Sequence, residues 1–234
     1  ARLVSRIEQI LGSALPLVAL FQNPTIAGLA PLLVGSSGVA DSSAAILPAA
    51  PLPGDWPPGC QAYQASFAQA RLWFLHQLEP ELTAYHLPAV WRLRGDLDVP
   101  ALQRALEGLI ERHSTLRTSF LLQGSEVIQI VHPAAPFALA AEALGEGEPE
   151  AVIREWLEEE SRTPFDLTAG LLLRARLLVV DEQHHLLLVN HHHIASDGWS
   201  LSVLARDLVE LYNAERADRS PQLEPSCIHY PDYG

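Results

Sequence analysis

Three consecutive histidines followed by an aspartate and a glycine form the segment of this chain best equipped for chemistry. His191, His192 and His193 end an apolar run, and Asp197 and Gly198 follow them in the stretch VNHHHIASDGWS. A neutral imidazole has a reference pKa of ~6.5, so it can accept a proton near neutral pH. The pattern predicts a catalytic base in a loop between a strand and a helix.

Two other interpretations of the segment stay open. His191 and His193 lie two residues apart on a strand-like stretch and could face one side as metal ligands. Further ligands could come from His184, His185 or Asp197, although no cysteine is near and no H-E-x-x-H helix is present. The histidines could instead be satisfied polar groups at a strand end, beside a residue that only caps the next helix.

The aspartate and glycine have expected roles of their own. Asp197 lies too close in sequence to assume a simple His–Asp dyad, and it could instead bind an arginine and hold the loop in shape. Gly198 would allow close approach of backbone or substrate, or a φ that other residues disfavour. The free N–H groups and the dipole of the following helix would stabilise developing negative charge.

A buried strand and an amphipathic helix must position this segment. Residues 186–189 are apolar without alternation, which predicts a strand covered on both faces. The helix is expected in SLSVLARDLVELYNAER, with Leu201, Leu204, Leu208 and Leu211 on one side. A hairpin-like connection, DEQ, joins GLLLRARLLVV to HHLLLVN.

The remaining globular region mixes helices and strands, which predicts the α/β class. Ser66 and Asp98 are candidate N-caps, and Pro100 suits the first turn of its helix. Residues 133–147 are rich in alanine and predict no definite element. The other predicted helices are SFAQARLWFLHQL, LDVPALQRALEGLIERHS and PEAVIREWLEEESRT, and the other predicted strands are LPAVWRLRG, RTSFLLQ and EVIQIV.

Composition argues against several classes of partner. The net charge is −13 and all 15 basic residues are arginine, so no basic stripe exists to follow a phosphate backbone. No charge-free apolar run is long enough to span a membrane. Cys60 and Cys227 lie far apart without metal-ligand spacing, so a reducing cytoplasm is the expected compartment.

The chain divides into three predicted parts. Residues 1–34 form a short helical unit, too small to bury a core of its own, in which Thr25 is a candidate N-cap for IAGLAPLL. Residues 35–58 are rich in Ser, Ala, Pro and Gly and predict a linker. Residues 59–234 are the globular domain. Because the chain has no methionine and begins with a helical rhythm, we expect it to be an internal segment of a longer polypeptide.

Five stretches, in the same order, resemble motifs of the condensation domains of non-ribosomal peptide synthetases. HHIASDG fits the HHxxxDG motif of that family. Three positions depart from the family pattern: Ser114 replaces the usual Glu, Leu171 the usual Pro and Gly234 the usual Ala. The other four stretches are SFAQARLWFL, RHSTLRTSF, PFDLTAGLLLRARLL and YPDYG.

Residues 1–34 resemble the end of a peptidyl carrier domain, after its phosphopantetheine site. The modified serine would then lie before Ala1, so this chain would carry no pantetheine arm at that site. The family fold has two chloramphenicol-acetyltransferase-like lobes with the active site in the channel between them. The resemblance implies that residues 59–234 are the N-terminal lobe, that the second lobe lies outside this chain, and that the chain is inactive alone.

The resemblance also implies a reaction and residue roles. The expected activity is amide formation between a donor and an acceptor thioester, both carried on phosphopantetheine arms of carrier domains. An adenylation domain of the same synthetase is a further expected partner, and no metal or directly bound cofactor is expected. His193 would be the catalytic histidine and His192 its structural neighbour, whereas His191 would have no chemical role.

The partner of Asp197 and the donor class are the finer expectations. Asp197 would hold the loop through Arg174, Arg117 or an arginine of the second lobe. The forms SFAQARLWFL and SDGWS are most similar to domains that accept an L-configured donor. Two alternatives stay open: a scaffold that binds carriers without catalysis, or another HHxxxDG acyltransferase. The amino acids that are joined do not follow from the sequence.

Overall fold

The computed structural model describes residues 7, 19, 22–23, 25–34, 48–225 and 229–233. Contacts divide the chain into two compact units, Ala1–Ala45 and Ile46–Gly234. The first unit contains helix α1 (Ile26–Val34), and the Thr25 hydroxyl accepts a hydrogen bond from the Gly28 N–H at 3.2 Å. The predicted cap is therefore confirmed, while most of the predicted earlier helix and of the linker lies outside the described residues.

The second unit is a mixed α/β domain, as the sequence predicts. No helix that the structure describes is long and apolar enough to cross a membrane. In chain order the elements are β1 (Gln61–Gln64), α2 (Phe67–Leu78), β2 (Ala89–Arg94), α3 (Val99–Arg112), a 3₁₀ turn (Ser114–Arg117), β3 (Thr118–Gln123), β4 (Glu126–Val131), β5 (Ala140–Ala143), α4 (Pro149–Glu160), β6 (Leu173–Val179), β7 (His184–His191), α5 (Ser200–Arg216) and a 3₁₀ turn (Tyr230–Tyr233).

Two sheets organise these elements. The smaller has the order β1-β4-β3 and is antiparallel, and the larger has the order β2-β7-β6-β5, in which β5 and β6 are parallel. β7 lies inside the larger sheet, between β2 and β6. Leu187 and Val189 pack into the main core, whereas Leu186 and Leu188 pack on the opposite face against Trp156 of α4. The predicted coverage of both faces of this strand is confirmed.

Helices α3 and α5 lie against each other on the core side of the larger sheet. The carboxylate of Asp98 caps α3 by accepting from the Ala101 N–H at 2.9 Å, as predicted. The apolar face of α3 is buried, and Leu204 and Leu208 of α5 are buried in the same cluster. This packing sets the direction of α5, which begins at the loop that carries the histidines.

Two strands are not predicted from the sequence. β1 is short and carries Gln, Ala, Tyr and Gln, so it has no apolar alternation, and its pairing with β4 defines it. β5 lies in the alanine-rich region, is exposed along its length, and exists through parallel pairing with β6. Near β1, Leu52 and Trp56 of the predicted linker pack on the smaller sheet, and the Leu52 N–H donates to the Ala62 carbonyl at 2.7 Å.

A buried carboxylate ties α5 to the end of α3. Asp207 has 0% exposure and accepts hydrogen bonds from Arg112 at 2.9 Å and, through the other oxygen, from Arg206 at 2.9 Å. The ring of His113 lies 3.0 Å from the same carboxylate. Burial raises the pKa of Asp207, but hydrogen bonds from Arg206, Arg112 and His113 lower it further than burial raises it. The first two residues of the RHSTLRTSF stretch, Arg112 and His113, therefore have a structural role, because both contact Asp207.

We expect Asp207→Ala to destabilise the domain by about 1–3 kcal/mol, because it removes the hydrogen bonds of a buried carboxylate and leaves the partly buried Arg112 guanidinium without this partner. Urea denaturation at neutral pH measures the change. Glu182→Ala, at an exposed position, is the matched control and should leave the midpoint unchanged. Equal midpoints for the two variants would contradict the role assigned to the network.

Candidate active site

Backbone hydrogen bonds hold each histidine of the segment at the end of β7. The Leu87 N–H donates to the His191 carbonyl at 2.9 Å, and the His193 N–H donates to the Tyr85 carbonyl at 2.8 Å. His86 and His192 form an isolated antiparallel bridge between these two bonds. Residues 85–87 thus continue the pairing of β2 with β7, so that the loop position of His193 is fixed by strand geometry.

His193 is exposed and faces a cavity of about 420 Å³. The loop and the first turns of α2 both contribute to the lining, which is mainly apolar and whose polar side chains include Arg71, Asp197 and Ser200. The cavity brings together three of the five motif stretches. Its lining residues are Ala68, Gln69, Arg71, Leu72, Tyr85, His193, Ile194, Ala195, Ser196, Asp197, Ser200 and Tyr230.

His192 is buried behind this cavity, and its Nδ1 accepts a hydrogen bond from the Ile194 N–H at 3.1 Å. The backbone N–H is only a donor, so Nδ1 must be unprotonated and the neutral ring carries its proton on Nε2. Burial lowers the pKa of His192 to about 3, and the neighbouring rings of His86 and His76 contribute to the shift. The ring of His192 therefore acts as an acceptor that shapes the turn after His193.

His191 is fully buried, at 0% exposure, and does not line the cavity that His193 lines. Neither ring nitrogen has a hydrogen-bond partner among the residues that the structure describes. Burial lowers the pKa of His191 to about 4, with a smaller contribution from His193. Of the two histidines only His193 reaches the cavity, and no group of three or more potential metal ligands occurs within the described part of the chain.

Asp197 caps the first turn of helix α5 from three residues before its first residue, Ser200, whereas the N-cap residue Trp199 makes no side-chain capping hydrogen bond. Its Oδ1 accepts from the Ser200 N–H at 2.8 Å and from the Ser200 hydroxyl at 2.7 Å. The Asp197 N–H donates in return to the Ser200 hydroxyl oxygen at 3.3 Å, so the two residues form a reciprocal capping box. The hydrogen bonds from the Ser200 side chain and backbone lower the pKa of Asp197. The carboxylate stays ionised and holds the loop at the helix start.

Of the three candidate partners of Asp197, Arg174 and Arg117 are excluded, because both guanidinium groups donate to other acceptors. Arg174 donates to Glu160 at 2.9 Å and to the Pro164 carbonyl at 2.6 Å. Arg117 donates to the carbonyls of residues 110, 111 and 132. An arginine outside this chain stays a prediction.

Gly198 has neither of the local constraints that usually require glycine. Its φ is not among the positive values of the described residues, and a Cβ built on it meets no atom within 4 Å. The prediction of an unusual φ is therefore wrong, while close approach of a substrate stays a prediction. By contrast, Gly170 of the PFDLTAG stretch has φ +85°, and a Cβ there would lie 2.7 Å from the His132 ring.

Sequence reasoning missed the residues that support the loop from other elements. The ring of Phe165 lies with its centroid 6.1 Å from that of His192 and 4.9 Å from that of His86. The Gln69 side chain closes the capping box of α2 with Ser66 and reaches Gln129 at 3.3 Å. Gln69 and Phe165 stand in quoted motifs, but only the fold shows that Gln69 contacts Gln129 and that Phe165 contacts His192. The sequence carried no signal for His86.

Residues 60–234 match the model of the condensation domain family. This chain belongs to that family. It is 41% identical to a linear gramicidin synthase of Brevibacillus parabrevis over 237 residues, which cover 98% of this chain and 3% of the relative. The assignment made from the five motif stretches is confirmed.

Solved structures support the same fold. The X-domain from teicoplanin biosynthesis, in complex with OxyB, is 34% identical with a TM-score of 0.66, and the match covers 80% of this chain and 39% of that one. The first condensation domain of the CDA synthetase is 25% identical with a TM-score of 0.64, and the match covers 69% of this chain and 41% of that one. The condensation domain therefore has the predicted chloramphenicol-acetyltransferase-like fold, and the chain spans well under half of these structures.

We expect the domain to lose stability as the pH falls from 6.5 towards 4, because the unfolded chain then binds protons that the buried histidines do not bind. With a folded pKa of about 4, His191 alone accounts for about 2 kcal/mol between pH 7 and pH 5. His191→Met should therefore reduce the loss of unfolding free energy between pH 7 and pH 5 by about this amount. Urea unfolding over this range tests it; the exposed His184→Gln variant is the control, and an unchanged slope in His191→Met would contradict the assignment.

We expect Asp197→Ala to lower the stability of the domain by about 1 kcal/mol, because α5 loses its capping carboxylate. Asp197→Asn keeps a side-chain oxygen that can accept from the Ser200 N–H, so it should lose less. Thermal unfolding of the two variants checks the order. If Asn were as damaging as Ala, the negative charge of Asp197 would be required beyond capping.

Proposed function

We propose that this condensation domain catalyses amide bond formation in non-ribosomal peptide synthesis. The α-amine of an acceptor aminoacyl thioester attacks the carbonyl of a donor aminoacyl or peptidyl thioester, and the donor thiol leaves. The observation that carries the proposal is the exposed ring of His193 on a cavity that the family's motif stretches line. The relatives support it, because they are synthetases for peptides.

His193 is the proposed base. An α-amine with a pKa of ~8 is mostly protonated at neutral pH, so it must lose a proton before or during attack. A positioned base contributes a factor of roughly 10²–10⁴, whereas holding two reactants together contributes ~7–11 kcal/mol. Positioning of the two thioesters therefore contributes at least as much as His193, and Asp197 and Gly198 contribute by shaping the loop that carries it.

The proposed partners are carrier domains whose phosphopantetheine arms deliver the two substrates, with an adenylation domain in the same synthetase. Such a domain itself needs no cofactor. Residues 1–34 are the proposed tail of a preceding carrier domain; in support, the match to the linear gramicidin synthase covers 98% of this chain. An L-configured donor is the proposed class, on the motif forms alone.

A scaffold without catalysis is the second candidate. It is favoured by one solved structure to which this chain is similar, the complex of the X-domain with OxyB. A scaffold would bind its partner domains and form no dipeptidyl thioester. An HHxxxDG acyltransferase of another kind would instead form a product when one carrier substrate is replaced by a free acceptor.

We expect His193→Ala, in the synthetase that contains this chain, to slow dipeptidyl thioester formation by roughly 10²–10⁴-fold without abolishing it. Mass spectrometry of the loaded carriers measures the product. His184→Ala, at the exposed start of the same strand β7, is the matched control. A full rate in the His193 variant would refute the base, and no product with the unaltered synthetase would favour the scaffold.

A further inference from the structure

The YPDYG stretch has no role in the proposed reaction, yet part of it borders the cavity that His193 lines. Its residues form the 3₁₀ turn Tyr230–Tyr233. Tyr230 lines that cavity, and its hydroxyl lies 3.2 Å from the Ser66 hydroxyl at the start of α2. Pro231, the next residue, is buried. The turn therefore forms part of the cavity wall, and the contacts that hold the turn also hold this part of the wall.

The carboxylate of Asp232 closes this turn and also bonds outside it. Its Oδ2 accepts from the His229 N–H at 2.6 Å, while the Asp232 N–H donates to the His229 carbonyl at 2.9 Å. Its Oδ1 accepts from the Ala49 N–H at 2.7 Å, across 183 positions of sequence. Hydrogen bonds from the N–H groups of Ala49 and His229 lower the pKa of Asp232, so the group is ionised at neutral pH. One carboxylate thus holds the residue before Tyr230 and a residue of the predicted linker.

Ala49 belongs to a proline-rich segment, residues 48–56, that packs on the smaller sheet. The Leu52 N–H donates to the carbonyl of Ala62 in β1 at 2.7 Å, and the Trp56 indole N–H donates to the Leu52 carbonyl at 3.0 Å. The side chains of Leu52 and Trp56 pack in the apolar cluster of that sheet. Ala49 therefore reaches Asp232 from a segment that is itself held on the domain.

The segment, β1 and the turn meet around the same carboxylate. Residues of all three line a second cavity, of about 220 Å³, among them Pro48, Tyr63 and Asp232. Burial raises the pKa of Tyr63, and the negative charge of Asp232 raises it further. A displacement of the segment would therefore change the surroundings of the carboxylate that closes the turn.

We propose that Asp232 is a positioning residue for the cavity wall: its two carboxylate oxygens fix the turn that carries Tyr230 relative to residues 48–56. The packed segment and the wall then form one unit, so release of the segment loosens the wall beside His193. The base is held independently, because the His193 N–H donates to the Tyr85 carbonyl at the end of β7. This inference rests on the proposed function for its effect on the reaction.

Hydrogen–deuterium exchange of the synthetase that contains this chain, read by mass spectrometry, tests the link without any substrate. Ala49→Pro removes the N–H that Asp232 accepts, because proline has none. We expect the amides of residues 229–233 to exchange about two- to tenfold faster in this variant. Asp232→Ala should in turn speed the exchange of residues 50–56 by a similar factor, because coupling between two sites is reciprocal.

Ala50→Pro is the matched control for Ala49→Pro. Ala50 is exposed, and its N–H makes no hydrogen bond within the described part of the chain. The control introduces the same residue one position further along the same segment, so residues 229–233 should exchange as in the unaltered protein. Equal acceleration by Ala50→Pro would assign the effect to proline in the segment and would overturn the inference.

The positioning role is tested in the same variants by the kinetics of dipeptidyl thioester formation. A wall that binds the ground state and the transition state equally changes KM and leaves kcat unaltered. Ala49→Pro and Asp232→Ala should therefore raise KM for a separately supplied, loaded acceptor carrier about two- to tenfold, with kcat within about twofold. Ala50→Pro should change neither constant.

Each outcome decides the inference. Unchanged exchange of residues 229–233 in Ala49→Pro would overturn the link between the segment and the turn. Faster exchange with an unaltered KM would overturn the positioning role. If Asp232→Ala does not fold, Ala49→Pro decides both points. A full rate in His193→Ala would refute the proposed function while leaving the exchange results as expected. A slow His193→Ala variant with uncoupled exchange would refute only the role of Asp232.

Discussion

The architecture depends on the backbone pairing of one interior strand. β7 is paired on both sides, with β2 and with β6, and apolar side chains cover both of its faces. Its pairing does not stop at the strand end but continues through residues 85–87, which bond to His191 and His193. The loop that follows such a strand starts at a fixed position. A side chain close to the strand end can therefore be held in place with few contacts of its own.

The three histidines illustrate how one strand end assigns different environments to identical residues. Alternation sends His191 into the interior and His192 into the layer that contains His86 and Phe165, while the turn brings His193 to the cavity. Burial keeps the first two rings neutral at physiological pH. The acid sensitivity that this creates is a consequence of the same packing that presents His193.

Charge in this domain is used mainly to join elements. Asp207 connects α5 to the end of α3, Glu160 connects α4 to β6 and β7, and Asp197 caps α5 beside the cavity. Asp207 and Glu160 accept hydrogen bonds from arginines of another element, and Asp197 accepts from the first residue of the helix that follows it. The positions of α3, α4 and α5 around the larger sheet are therefore specified by directional contacts in addition to apolar burial.

The sequence by itself determined the long elements, the caps at Ser66 and Asp98, the family and the loop that carries His193, because these follow from local periodicity and contiguous motifs. Tertiary structure decided what depends on pairing between distant segments. It defined β1 and β5, whose residues have no strand pattern, and brought His86 and Phe165 behind His192. It also directed Arg174 to Glu160 and left Asp197 to cap a helix. A guanidinium can reach many acceptors at similar energy, and only the folded geometry selects among them.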